Sequence, residues 1–321
     1  MPSRKPLIPS KGANTSNDER GVRELEQFTQ ASLNQWKAAS LDIDELQDVL
    51  FFGVEPERRR LRPQLVEALQ TVTPTSLKLE RWVRVVTYQH SLNPLSCAGS
   101  LQAVGGRFNA GAELDSDTLK PWPALYLAEN FETAFREKFQ MASDVLTDGL
   151  TPQELALEQG VSHSSLFVKG QLSQVFDITS EKSLDSVAKV LKRIKLPAKA
   201  AQLRTKLRMS ASSVFMAQTS KQIHHAVLAA NWRVLPIQFG LPSPSQLLTE
   251  LIRTAGYEAI LYASTKGPGK CLAVFPDLRV DHSFVELIHP PPTAVKHKRL
   301  DAESAAELEG WESVAKQLRN R

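Results

Sequence analysis

The sequence predicts an α+β fold with an α-helical N-terminal extension. Three observations carry this. Apolar residues recur at helical spacing from Asp18 onward. At Leu79 the composition turns β-branched and aromatic. Near the C-terminal end, two short apolar runs flank a Gly-Pro-Gly turn, the pattern of a hairpin.

Residues 1–17 are rich in Pro, Ser, Lys and Asn without apolar periodicity, which predicts a disordered leader. Residues 18–76 are expected to be helical. Leu25, Phe28, Ser32 and Trp36 form one stripe, and two further short helices are expected over Asp42–Phe52 and Glu57–Thr71, closed by Thr73-Pro74-Thr75-Ser76. The run Trp82-Val83-Arg84-Val85-Val86-Thr87-Tyr88 reads as a strand whose period of two puts Arg84 on the face of Trp82, Val86 and Tyr88. A charge on an apolar face is costly unless partnered, so Arg84 has either a ligand or a structural ion pair.

A glycine-rich loop, Gly105-Gly106-Arg107-Phe108-Asn109, leads to a short strand over 124–128. Asn130 is a good helix N-cap with Glu132 in the first turn, and the helix it opens carries Glu137 on the margin of its apolar face. Residues 166–178 read as one bent strand or two short ones. The basic segment 180–230 reads as a helical insertion or lid. Pro242-Ser243-Pro244-Ser245 opens a helix that Gly256 ends. Strands at 258–263 and 271–275 flank the turn Lys266-Gly267-Pro268-Gly269, and the tail over 289–321 is expected to be peripheral. The core is therefore expected over 77–288.

Composition excludes several classes. No stretch nears the roughly 18 apolar residues of a membrane span, and the basic N-terminus lacks a signal-peptide core. A cytoplasmic protein is expected. Cys97 and Cys271 form no disulfide framework, and the histidines show no metal-binding spacing, His224 and His225 being adjacent. No metal is expected. The net charge of +4 is too mild to predict nucleic-acid binding, so the basic runs Arg58-Arg59-Arg60 and Lys189 to Arg208 read as solvated helix faces.

The chemistry rests on four residue types in order. The Arg107 fork suits phosphate oxygens two at a time, and the flanking glycines allow close approach. Tyr126 offers a flat face and a hydroxyl. Glu137 can stabilise a sugar cation. Ser264, after the 259–263 run, supplies one small donor and acceptor. Each also has a structural reading: a turn cap, a core ring, a solvated carboxylate and a strand terminator.

Gly-Gly-Arg-Phe-Asn, then Leu-Tyr-Leu-Ala, a helix with Phe-Arg-Glu, and Gly-Tyr-Glu-Ala-Ile-Leu-Tyr-Ala-Ser before a Leu-Ala-Val-Phe strand resemble the RES domain family over roughly residues 80–285. The resemblance implies a core like the ADP-ribosyltransferase fold, with mixed, mostly antiparallel sheets and flanking helices. It implies an NAD+-degrading toxin that cleaves the nicotinamide–ribose bond as an NAD+ glycohydrolase or phosphorylase. Water or phosphate would accept the ADP-ribose, and no cofactor is implied beyond NAD+ as substrate. By the same resemblance Arg84 and Arg107 hold the pyrophosphate and Tyr126 packs on the nicotinamide side. Glu137 stabilises the ribosyl cation and Ser264 anchors the nicotinamide amide or ribose. The implied partner is a helix-turn-helix antitoxin of the Xre type; the oligomeric state stays open. Phe108 stands where the family commonly has Trp, Cys271-Leu272-Ala273 lies where an asparagine is often found, and the insertion is longer than in compact members. A protein ADP-ribosyltransferase is the alternative within the fold, and a non-catalytic nucleic-acid- or protein-binding module the alternative outside it.

Overall fold

The computed structural model describes residues 30–114, 119–140, 162–209, 217–278 and 282–311. The leader, the side chains of the Leu25–Trp36 stripe and the end of the tail lie outside them. In chain order the elements are α1 (Gln30–Gln70), β1 (Thr75–Thr87), β2 (Leu125–Ala128), α2 (Phe131–Phe139), β3 (His163–Asp177), α3 (Asp185–Leu191), α4 (Ala198–Lys206), α5 (Ser220–Val227), α6 (Val234–Phe239), α7 (Pro244–Thr254), β4 (Ala259–Ala263), β5 (Lys270–Val274), β6 (Phe284–Leu287), β7 (Arg299–Leu300) and α8 (Ala305–Leu308). Among the described residues no helix is long and apolar enough to cross a membrane. The chain divides into two units, residues 1–62 with 191–217 and residues 63–190 with 218–321.

From Gln30 to Gln70, α1 is one helix where the sequence predicts a helical stripe followed by two further short helices, the last two separated near Gly53 and Pro56. A mid-helix proline costs about 3 kcal/mol and normally ends the helix. Here one-turn ion pairs bridge the weak point. Glu55 accepts from Arg58 at 2.6 Å and from Arg59 at 2.9 Å, and Glu57 pairs with Arg60 at 2.8 Å. Burial adds to this, because Leu46 packs with Ala200, Leu203 and Leu207 around α4. The basic runs are therefore not simply solvated faces. Arg58 is largely buried on Glu55, while Lys199 and Lys206 reach Glu45 and Asp42 of α1 at 3.0 and 2.7 Å.

The second unit is α+β, as expected. Its strands run β1-β2-β5-β4-β3-β6-β7, and β3 pairs β1 as well, so the first five strands close on themselves. Among the described residues only β3 and β4 pair in parallel, and β1 meets β2 at the single pair Val83↔Ala128. The long β3 accommodates this by pairing β6 along 168–171 and β4 along 175–177. The bent strand expected over 166–178 is thus one strand. The short β6 and β7 carry too little periodicity to be read from sequence.

Strand alternation sorts the two faces of this sheet. Leu125, Leu127, Ala259, Leu261, Leu272 and Val274 enter one core with Trp82, Val168 and Val285. The residues between them, Tyr126, Tyr262 and Cys271, therefore share the other face. The register confirms it, since Cys271 pairs both Ala128 and Tyr262, and Ala273 pairs Tyr126.

Candidate active site

The Gly105-to-Asn109 loop is held from within. Asn109 is fully buried. Its Oδ1 accepts from the Gly106 N–H at 2.8 Å and the Tyr126 hydroxyl at 2.9 Å, and its Nδ2 donates to the carbonyls of Ser100 at 2.5 Å and Trp122 at 3.2 Å. From the other side, buried Gln246 of α7 donates to the carbonyls of Val104, Gly106 and Asn109 at 2.9, 3.1 and 3.0 Å. Gly106 has no room for a side chain, because a Cβ there would lie 2.4 Å from the Tyr126 hydroxyl. The Tyr126 hydroxyl also accepts from the Phe108 N–H at 2.9 Å, and the Phe108 ring packs on Tyr262 at 4.5 Å. The loop is bound to the Tyr126 face of the sheet.

This scaffold carries Arg107, which is only 7% exposed. Its fork donates to the carbonyls of Val227 at 3.1 Å and Ala229 at 2.9 Å, at the end of α5, and to the Thr265 hydroxyl at 3.3 Å. Helix ends leave carbonyls without intrahelical partners, so a guanidinium there is well placed.

Glu137 and Ser264 meet because α2 docks on the β4–β5 hairpin. Asn130 caps α2 as expected, accepting from Thr133 N–H at 2.9 Å. The hairpin glycines lie against Thr133: Gly269 N–H donates to its hydroxyl at 3.1 Å, and a Cβ on Gly267 would stand 2.8 Å from its Cα. Glu137 is one helical turn beyond Thr133 on the same face. There the Ser264 hydroxyl donates to Glu137 Oε1 at 2.6 Å while accepting from the N–H groups of Lys266 and Gly267 at 3.0 and 2.9 Å. Both faces of the Ser264 oxygen are used, so its proton has one direction left.

The electrostatics join these groups. Burial holds the Arg107 guanidinium below its ordinary pKa, and Tyr262, Glu137 and Tyr126 oppose that lowering. Burial pushes both phenols well above their ordinary values, which keeps them protonated at neutral pH. It pushes the Cys271 thiol up to about 12, with the Glu137 charge as a second cause.

Arg107, Tyr126, Glu137 and Ser264 are brought together, as expected. Arg84 is not. Val83 pairs Ala128, which shares the face of Tyr126, so Arg84 lies on the opposite face with Trp82. Its fork donates to the Ser96 carbonyl at 2.7 Å, and its second terminal nitrogen is buried without a partner among the described residues. The partner is thus a carbonyl rather than the carboxylate an ion pair would need. Sequence reasoning missed Tyr262, which the period of β4 could have supplied, and Trp232 and Arg233, which carry no local signal. A cavity of about 130 Å³ lined by residues including Ser91, Ser165, Phe167 and His289 shares no residue with the cluster.

Residues 81–291 match the RES domain family. The chain belongs to the RES domain family. All of the clustered residues fall within the matched span, whereas the whole of α1 precedes it. No curated protein matches the chain. Among solved structures, this RES chain is similar to a chain of the M. tuberculosis MbcT–MbcA toxin–antitoxin complex, at 13% identity and a TM-score of 0.36, over 77% of this chain and 97% of the other.

Proposed function

We propose that this RES-domain protein consumes NAD+ by breaking the bond between nicotinamide and ribose. The observation that carries the reading is the state of Glu137. Its carboxylate accepts from Ser264 at 2.6 Å and makes no ion pair among the described residues, although Arg107 is in its field. A carboxylate already neutralised by a guanidinium would offer little to a developing sugar cation; this one keeps its charge available. In the proposed reaction the C1′–N bond breaks with its electron pair leaving on the nicotinamide nitrogen. The Glu137 carboxylate stabilises the resulting oxocarbenium. An oxygen of water or phosphate then closes on C1′, and any proton it carries passes to solvent.

Ser264 orients Glu137, and it anchors the nicotinamide amide or ribose by exchanging one of its three contacts for the ligand; the Tyr126 ring packs on the nicotinamide side. Arg107 binds the pyrophosphate through the N–H donors that its contacts to Val227, Ala229 and Thr265 leave over. The likeness of the core to ADP-ribosyltransferases, the role of toxin and the restraint by an Xre-type antitoxin are part of the same proposal and follow from the family.

The test is nicotinamide release from NAD+ by the purified full chain, with and without phosphate. The wild type should release nicotinamide, and Glu137→Gln should not, at unchanged fold. Label passing from NAD+ into protein would identify a protein ADP-ribosyltransferase instead. A wild type that leaves NAD+ intact with water, phosphate and lysate proteins as acceptors sinks the proposal.

A further inference from the structure

Arg107 is not the only guanidinium in the cluster. Arg233 leaves the same segment whose carbonyls Arg107 grips, and its fork donates to the Gln140 side chain at the end of α2 at 2.9 Å. Both guanidiniums lie on one indole. The Arg107 carbon is 5.8 Å and the Arg233 carbon 4.8 Å from the centre of the Trp232 ring. Trp232 itself is buried, so the ring is a fixed platform. The partners of both forks in the described contacts are neutral: carbonyls, a hydroxyl and an amide oxygen. Two like charges held close on one ring, with no carboxylate in contact among the described residues, are costly unless an anion comes into contact with them. Burial disfavours the charge on each and Arg233 further disfavours that on Arg107, while Glu137 favours it on both from a distance.

We infer that Arg107 and Arg233, set on the ring of Trp232, form a two-arginine cradle for the diphosphate of the substrate, with Arg233 as the second phosphate-binding arginine in place of Arg84. The placement fits. Arg84 lies across the sheet, whereas Arg233 lies in the field of Tyr126 and Glu137. Each fork retains N–H donors beyond its protein contacts. Glu137, the carboxylate of the cluster among the described residues, would repel phosphate and so keeps the diphosphate toward the arginines and the ribose toward itself. Naming the anion as a dinucleotide diphosphate rests on the NAD+ reading; the cradle itself does not.

The test uses inorganic pyrophosphate as probe, titrated calorimetrically into the full chain at fixed salt. The wild type should bind it. Arg233→Ala and Arg233→Gln should weaken binding about tenfold or more, as loss of a charge-assisted fork does. Arg233→Lys should fall between, keeping the charge without the fork. Arg233→Gln, close in length and able to bond Gln140, serves where the alanine variant unfolds. A wild type that does not bind pyrophosphate at millimolar concentration, or folded variants that bind it as the wild type does, overturns the cradle. NAD+ turnover is followed in parallel, where KM should rise with kcat little changed. Variants with wild-type KM remove Arg233 and leave the NAD+ reading standing. Pyrophosphate binding through Arg233 without any NAD+ turnover keeps the cradle and removes the NAD+ reading.

Discussion

Replacing Asn109 by alanine should loosen the arginine loop by an amount the geometry sets. The carboxamide makes four hydrogen bonds, to the Gly106 N–H, the Tyr126 hydroxyl and the carbonyls of Ser100 and Trp122. At about 1 kcal/mol net each, their loss amounts to about 4 kcal/mol. A water in the vacated space can restore some of these bonds, which puts the lower end near 2 kcal/mol. Against a total stability of about 5–15 kcal/mol this is a large change. With a urea slope of about 3 kcal/mol/M, the midpoint should fall by about 1 M. Amide exchange at Gly106 and Phe108 should accelerate more than exchange in β5, because only the loop loses its own partners. An alanine variant with an unmoved midpoint and unchanged loop exchange would refute the claim that Asn109 holds Arg107 in place.

Asn109→Asp keeps the Oδ1 contacts but turns a carboxylate oxygen toward two carbonyls. Its folded pKa is therefore raised above the ordinary carboxyl value, so the destabilisation is smallest at acid pH, where the single O–H still serves one of the two carbonyls, and grows as pH rises through that pKa, read from urea midpoints at several pH values. Glu137→Gln should lower the rate of nicotinamide release by about a hundredfold or more with an unchanged melting temperature, because the amide still accepts from Ser264 but cannot oppose a cation. Ser264→Ala removes three hydrogen bonds, and should cost about 2–3 kcal/mol in urea unfolding and lower kcat through a freed Glu137. The Cys271 thiol, raised from 9.0 to about 12, is neutral at pH 8 and should resist iodoacetamide until the protein unfolds. Its stabilising contribution is complete below pH 9 and is lost as pH rises toward 12, so Cys271→Ala should show a smaller alkaline loss of stability.

Much of the second unit was legible because its signals are local. The N-cap Asn130, the helix opened at Pro242-Ser243-Pro244-Ser245 and the Gly-Pro-Gly hairpin each act within a few residues, and each stands where the sequence placed it. The break in α1 was misread for the same reason. Gly53 and Pro56 are strong local breakers, but the Glu55–Arg58 pair and the burial of Leu46 oppose them. Arg84 was misplaced for another reason. Its face relative to Trp82 follows from period two, but the side of the sheet on which Tyr126 lies is decided by the pairing Val83↔Ala128, which no neighbour in sequence encodes.

By itself the sequence determined the α+β class and the order of the main strands and helices, and it singled out Arg107, Tyr126, Glu137 and Ser264 as candidates. Periodicity, caps and turns depend on side chains a few positions apart, and these the chain carries locally. Only the tertiary structure decided which groups share a site. Ser264 and Glu137 lie 127 positions apart and meet at 2.6 Å because glycines let a hairpin close on α2. Arg233 joins Arg107 through one tryptophan ring, while Arg84 is carried to the other face by strand register. Such meetings depend on pairing and packing between distant segments, and those are settled only when the chain has folded.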